Sequence, residues 1–245
     1  MSALRKGFSI IEAVTAAGND GLPFSHIVAE TGVAKATAHR LLAELVDMSV
    51  LTLDPTTRCY RGGLSLARIG ATVMADYDLR TSAHPHLQAL HDEFGHVATL
   101  GVRNNDTGVY IDKIESKDFG LRLHSEIGKT FPLHCTAMGK VLLSKADRDT
   151  VRRITSRKLD AHTANTITDP KALRKELRRV AENGYAIDNE EITRGLVCVA
   201  APVLGIGGEI AGAMSCTFPS YVAEENGLQP AINAVKRYAA MASAG

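Results

Sequence analysis

The sequence predicts an α+β chain, with short hairpin-linked strands and helices inserted between them, rather than the strict strand-helix alternation of a doubly wound parallel fold. Two observations predict it. Apolar residues recur at three- and four-residue spacing through the first 48 positions, and beyond Gly95 short β-rich runs appear between clusters of turn residues. A third narrows it: no GxGxxG or GxxxxGK[ST] pattern stands at a strand-to-helix junction, which disfavours dinucleotide and P-loop nucleotide sites.

Leu4, Phe8, Ile11 and Val14, at spacings of four, three and three, predict a first helix that carries them on one face and ends near Gly18. Asn19-Asp20-Gly21 then breaks the chain. Ser25 is the expected N-cap of a short helix through Ile27, Val28 and Ala29, stopped at Gly32, where a left-handed residue costs little. A third helix from about Lys35 to Met48 puts Ala38, Leu41, Leu42 and Leu45 on one stripe and Lys35, Ala36, His39, Arg40 and Ala43 largely on the other. Val50 to Leu53 and Arg58 to Arg61 flank Asp54-Pro55-Thr56-Thr57, a hairpin turn in which proline fixes one dihedral and Asp54 bonds its own backbone. Helix, short helix, tight turn, longer helix and two-stranded ribbon are together the layout of a winged helix-turn-helix. Its third helix fits the DNA major groove, and its hairpin tip meets phosphates or the minor groove.

Gly62-Gly63 ends this first domain, residues 1–63. Leu66, Ile69, Val73 and Tyr77 predict a linker helix over 64–79, whose apolar stripe packs on the second domain or on a second copy of the chain. Residues 80–245 read as one domain. In it a helix through Leu87, Leu90 and Phe94 ends at Gly95, and strands Val97 to Arg103 and Val109 to Ile114 bracket the loop Asn104-Asn105-Asp106-Thr107-Gly108. Further strands are expected at Leu121 to His124, Tyr185 to Asp188, Val197 to Leu204 and Glu209 to Phe218. Helices are expected at Thr136 to Lys145, Asp147 to Thr155, Pro170 to Asn183 and Ala223 to Ala240.

At roughly 100–200 residues per domain, 245 residues allow one large domain or two modest ones. With 45% apolar and 22% charged residues, the composition is that of a folded protein, not a disordered or fibrous one. Lys+Arg (28) nearly balances Asp+Glu (27), so no global field selects nucleic acid, an anionic membrane or an acidic substrate, and any basic surface is local. Residues 1–63 hold six basic and six acidic side chains, so a DNA-binding unit must segregate its basic groups onto one face, with a dimer supplying two copies. The absence of Trp and the 5% aromatic content argue against a base-stacking platform. Cys59, Cys135, Cys198 and Cys216 contain no CxxC pair and suggest neither a disulfide framework nor a cysteine zinc knuckle. No apolar run reaches the roughly 18–20 residues of a membrane span, and the first residues lack a signal-peptide pattern. A cytoplasmic protein with no membrane partner is expected.

Lys35, Ala36, Thr37, His39 and Arg40 on the third helix, with Arg58 and Arg61 on the ribbon, are the candidate DNA contacts. Arg40 is the most informative, because its fork takes guanine bidentately or clamps a phosphate. The plain alternative is a solvated helix face, against which the three-helix-plus-wing context weighs. Between Lys145 and Arg179 eleven basic residues face five acidic ones, read as solvated helix surfaces rather than a second anion contact. His84, His86, His91 and His96 do not place three ligands on one helical face, so they read as surface or capping histidines and no metal is expected. His134-Cys135 and the acids Asp188, Glu190 and Glu191 suggest a nucleophile with base support. With no nucleophile elbow or Cys/His signature beside them, no catalytic residue and no cofactor is assigned.

Three segments resemble one family. They are Ile27-Val28-Ala29-Glu30-Thr31-Gly32-Val33-Ala34-Lys35-Ala36-Thr37-Ala38-His39-Arg40-Leu41-Leu42, then Pro132-Leu133-His134-Cys135-Thr136-Ala137-Met138-Gly139-Lys140, then Gly184-Tyr185-Ala186-Ile187-Asp188-Asn189-Glu190-Glu191 continuing to Val197-Cys198-Val199-Ala200-Ala201-Pro202-Val203. In order and spacing the chain resembles an IclR-family transcriptional regulator over nearly its whole length. The resemblance implies an N-terminal winged helix-turn-helix, a linker helix and a C-terminal GAF/PAS-like antiparallel-sheet effector-binding domain. It implies dimers or dimers of dimers on near-palindromic double-stranded operator DNA. It also implies an effector pocket at Leu123, Phe131, Ala137, Met138, Asp188, Leu196, Cys198, Ser215 and Thr217, where N–H groups at a helix start receive a carboxylate. The implied effector is a small organic acid or aromatic-derived metabolite. Ala34 stands where the family commonly has proline, Gly62 where leucine often follows the wing's Tyr-Arg, and Met138 is bulkier than usual. A looser helix start and wing base and a narrower pocket are expected.

The resulting reading is a ligand-responsive DNA-binding transcriptional regulator, repressor or activator, and not an enzyme. The alternative is a small-molecule enzyme with an N-terminal interaction module, distinguished by turnover. A blander alternative is a winged helix that contacts only protein.

Overall fold

The computed structural model describes residues 2–75, 78–116 and 125–243, in two compact units, Met1–Tyr77 and Asp78–Gly245. Tyr77, Leu123 and the expected strand Leu121 to His124 lie outside the described residues.

The first unit contains helices α1 (Ala3–Ala16), α2 (Phe24–Thr31), α3 (Lys35–Asp47) and α4 (Leu64–Ala75) and strands β1 (Leu22–Pro23), β2 (Leu51–Leu53) and β3 (Cys59–Gly62). Ile10 and Val14 of α1, Ile27 of α2 and Ala38, Leu41 and Leu42 of α3 form its core. Of the expected α1 stripe, Val14 is buried, whereas Leu4 and Phe8 are 73% and 59% exposed. The helix carries two apolar stripes, and the one through Ile10, Ala13, Val14 and Ala17 meets the core. Ser25 is not the N-cap of α2, which begins one residue earlier after extended Pro23; Gly32 ends it in the left-handed conformation. Ala34 leaves α3 without a side-chain cap.

The ribbon is three-stranded, in the order β1-β3-β2, because Leu22 and Pro23 pair with Tyr60 and Cys59. Two apolar residues give no periodicity, so this strand was silent in the sequence. Gly62 stays in the ladder opposite Leu51. The turn closes as its residues dictate, with Asp54 Oδ1 accepting from Thr56 N (2.8 Å) and Thr57 N (3.1 Å). In α4, Leu66 packs on the unit's core, whereas Leu64 and Ile69 are exposed.

The second unit contains α5 (Asp78–Phe94), β4 (Val97–Asn104), β5 (Thr107–Ile114), β6 (Thr130–Pro132), α6 (Ala137–Ser144), α7 (Arg148–Thr155), α8 (Pro170–Asn183), β7 (Ala186–Asn189), β8 (Leu196–Leu204), β9 (Ile210–Pro219), α9 (Ser220–Asn226) and α10 (Gln229–Met241). Leu79 therefore belongs to α5. The six strands form one antiparallel sheet in the order β6-β5-β4-β9-β8-β7. Helices α5 and α10 pack against the central strands, and α6 covers the sheet with α8 behind it. The β4–β5 loop is tighter than expected: Asn104 pairs with Thr107, leaving Asn105 and Asp106 as the turn. The single C-terminal helix expected from Ala223 is two helices, separated at Gly227 (φ 70°).

Gly139 is dictated by close approach. A Cβ there would lie 2.5 Å from Leu133 Cα and 2.6 Å from Leu133 O. Both obstacles are backbone, so Gly139→Ala is expected to destabilise the unit by about 1–3 kcal/mol, as overpacking does. Urea unfolding should show the lowered midpoint.

Candidate functional site

Two surfaces gather the candidate residues. On α3 the inward stripe Ala38, Leu41 and Leu42 fixes the helix's rotation, and the opposite side presents Lys35, Ala36, His39 and Arg40 to solvent, with Thr37 half-buried. The His39 ring stands edge-on to Phe24, 6.0 Å between centroids. Arg40 Nη1 lies 2.6 Å from Glu44 Oε1 one turn on, with both side chains more than half exposed. Such an ion pair is worth about 0–1 kcal/mol, so a phosphate or base edge competes with it readily. On the ribbon, Arg58 is exposed and has positive φ (57°). Arg61 is half-buried and 3.5 Å from Asp54 Oδ2, and the Thr57 and Thr56 amides hold the Asp54 carboxyl below the usual carboxylate range.

The second surface is a cavity of about 410 Å³ between the sheet and the start of α6. Strand register builds its floor. Asp188 pairs with Cys198 and Cys198 with Thr217, while Ser215 pairs with Thr99, so these five side chains share one face. Thr99 Oγ1 and Ser215 Oγ are 2.7 Å apart and buried, and Thr99 Oγ1 lies 3.7 Å from Met138 Sδ. Tyr110 and Phe131, with ring centroids 4.6 Å apart, supply an aromatic wall. At the rim, Thr136 caps α6 by accepting from Gly139 N (3.0 Å). The N–H groups of Ala137 and Met138, at the first two helical positions, have no acceptor within the helix. Among the described residues no Lys or Arg side chain lines the cavity.

Phe131, Met138, Asp188, Leu196, Cys198, Ser215 and Thr217, the positions the family resemblance implies, all line this space. Ala137 is fully buried and is not among the residues that line the cavity; Leu123 lies outside the described residues. Thr99, Tyr110, Thr136, His162 and Thr193 also line it and were not singled out. For Thr99 the missing information was sheet order, since its partner Ser215 is 116 residues away. His162 sits in a loop whose path no periodicity describes.

Electrostatics at the cavity floor are set by burial. Asp188 Oδ1 accepts from Glu191 N at 2.7 Å, yet burial, helped by the Glu191 charge, pushes its carboxyl up to about 7. Burial also raises the Cys198 thiol to about 11 and the Tyr110 phenol well above its ordinary value. Beside the floor, Lys140 Nζ is wholly buried and donates to Glu191 Oε1 and to the Ile187 carbonyl, with Glu176 Oε1 3.9 Å away.

His134 and Cys135, weighed above as a nucleophile with base support, are buried, and burial raises the thiol far above its ordinary value. A buried protonated thiol is inert as a nucleophile. Of the histidines read as surface groups, His84 Nδ1 lies 2.6 Å from Asp112 Oδ2, and His91 Nδ1 lies 2.7 Å from the His96 carbonyl.

Comparison with known proteins matches the family described as "Bacterial transcriptional regulator IclR C-terminal" over residues 71–244, and the "IclR helix-turn-helix domain" over residues 3–55. The chain is 32% identical over 235 residues to the Escherichia coli DNA-binding transcriptional repressor YiaJ, covering 93% of this chain and 83% of that protein. It is 33% identical over 230 residues to the Escherichia coli HTH-type transcriptional regulator KdgR, covering 94% and 86%. Among solved structures, an IclR transcriptional regulator from Alicyclobacillus acidocaldarius superposes with a TM-score of 0.87 at 28% identity, covering 98% of this chain and 97% of that one. A Microbacterium hydrocarbonoxydans homologue complexed with 4-hydroxybenzoate shares the fold, with a TM-score of 0.84 at 21% identity over 99% and 98% of the two chains.

Proposed function

The chain belongs to the IclR family of transcriptional regulators, and from that premise we propose that it binds operator DNA through α3 and the ribbon and senses a small organic acid in the cavity beneath α6. The observation that carries this reading is the pairing, on one chain, of an outward basic row on α3 with a polar-floored cavity of about 410 Å³. That volume lies within the roughly 300–1,000 Å³ of small-molecule pockets.

Lys35, Ala36, Thr37, His39 and Arg40 enter the major groove, and Arg58 and Arg61 on the ribbon meet the backbone or minor groove. Residues 1–63 form the DNA-binding domain, 64–79 the linker and 80–245 the effector domain. The active species is a homodimer or a dimer of dimers, because a near-palindromic site needs two copies and one unit carries no net charge to hold DNA alone. The protein works in the cytoplasm and is not an enzyme. Among the described residues no helix is long and apolar enough to cross a membrane.

In the cavity, the Ala137 and Met138 amides receive the acid's carboxylate. Ser215, Thr217 and Cys198 meet its polar groups, Phe131 and Leu196 its carbon skeleton, and Leu123 is assigned to the same wall. With no Lys or Arg among the described lining residues, charge is met by N–H dipoles, and a protonated Asp188 donates to the ligand. Ligand binding changes DNA affinity only as far as it favours one arrangement of the two DNA-binding domains over another.

Asp188 makes this testable by pH. Folded, its carboxyl titrates near 7; unfolded, near 3.8. Below the lower value both states are protonated. Between the two, the folded chain holds a proton that the unfolded chain has lost, so this group's contribution to stability falls as pH rises from about 4 to about 7 and levels off above. Glu191, raised by burial, acts with the same sign. Urea unfolding from pH 4 to 8 is expected to show the decline, and Asp188→Asn should flatten part of it. An unchanged slope in the variant would place the titration elsewhere. For the ligand, thermal shift with a panel of small organic acids, 4-hydroxybenzoate included, should find one that stabilises the chain. Ser215→Val should then weaken it, with DNA affinity in its absence unchanged.

A further inference from the structure

Next to the cavity, but outside everything assigned to the effector, a nitrogen of His134, the sulfur of Cys135 and a nitrogen of His162 lie within 4.8 Å of one another. Two nitrogens and a sulfur are the donor set that suits a borderline-soft divalent ion such as zinc. We propose that His134, Cys135 and His162 bind one zinc-class ion, with the fourth position left to water from the cavity that His162 lines.

Three features support it. The Nε2 of His134 is 2.9 Å from the Asp160 carbonyl. A carbonyl only accepts, so the neutral ring keeps its hydrogen on Nε2 and offers the Nδ1 lone pair, the outer bond that orients ligating histidines elsewhere. Cys135 is fully buried and carries no disulfide, which protects a thiolate ligand from oxidation. The backbone under His162 is pinned: His162 N donates to Thr166 Oγ1 (3.0 Å), and that hydroxyl donates to the Glu191 carbonyl (2.6 Å). The His162 side chain itself is exposed, free to swing inward and close the gap to the roughly 2.0–2.3 Å of zinc–nitrogen and zinc–sulfur bonds. On binding, the ion forms a bond to sulfur and the thiol proton leaves to solvent; no electrons are transferred.

The test uses the full chain, stripped with chelator and titrated with Co²⁺ followed by Zn²⁺. Expected are one Co²⁺ per chain, a thiolate-to-metal charge-transfer band that Zn²⁺ bleaches, and a metal-dependent rise in Tm. His162→Ala, an exposed change that leaves the fold alone, should weaken binding by more than the roughly 10–100-fold that loss of an outer partner costs. Cys135→Ser should remove the band. The proposal is overturned if the wild type shows no band and no metal-dependent Tm, or if both variants bind Co²⁺ as the wild type does. Because operator binding is not the readout, failure here leaves the regulatory assignment standing.

Discussion

Lys140→Ala is expected to destabilise the second unit by about 3–5 kcal/mol, the range for breaking a buried ion pair by removing one partner. Lys140 and Glu191 are 1% and 5% exposed, and Glu191 Oε2 has no hydrogen-bond partner among the described residues. Without the ammonium, Glu191 must take up a proton or remain charged in the interior, and the Ile187 carbonyl loses its donor as well. The damage reaches the cavity, because Glu191 N is the amide that holds Asp188. Urea unfolding measures the loss. The double variant Lys140→Met/Glu191→Leu, which removes both charges, should recover most of it, since apolar replacements of buried pairs are often neutral. A double variant as unstable as the single one would show that packing, not charge, holds this corner.

Arg40→Ala is expected to reduce operator affinity by about 10–100-fold per half-site, matching the roughly 1–3 kcal/mol of a good bidentate base contact. The fold should be unaffected, because the side chain is exposed and, among the described residues, its ion pair is the surface one with Glu44. Fluorescence anisotropy against the operator and against unrelated duplex separates two roles. If Arg40 reads a base, specific binding falls and non-specific binding persists; if it clamps a phosphate, both fall. Lys35→Ala should lower both and make binding less sensitive to salt, by about one released counterion for each phosphate that Lys35 neutralises. Unchanged affinity in Arg40→Ala would remove α3 from the groove.

Long, strongly periodic elements were legible in the sequence. The α3 stripe of Ala38, Leu41 and Leu42 and the bounds of α8 follow from spacing and from Asp169-Pro170 at one end and Gly184 at the other. What local pattern does not carry was missed. Strand β6 is three residues long and is defined only by pairing with β5, and β1 by pairing with β3. On α1 two apolar stripes compete, and only the packed unit decides between them. The pocket residues placed in advance came from family motifs, not from periodicity. Thr99 and His162 were out of reach because sheet order and a long loop bring them in. The Lys140–Glu191 pair spans 51 residues, and nothing local announces that a lysine in an otherwise apolar helix is buried.

On this reading the chain regulates transcription by binding specific DNA under the control of a small molecule. The most direct test is binding of the purified protein to the DNA upstream of its own and adjacent genes, titrated against unrelated competitor at near-physiological salt, with and without small organic acids. Competitor-resistant binding by a dimer or tetramer is expected, shifted by an acid that also raises the Tm of the protein. Binding that unrelated DNA abolishes at equal concentration, with every acid tested and in a folded oligomer, would contradict it.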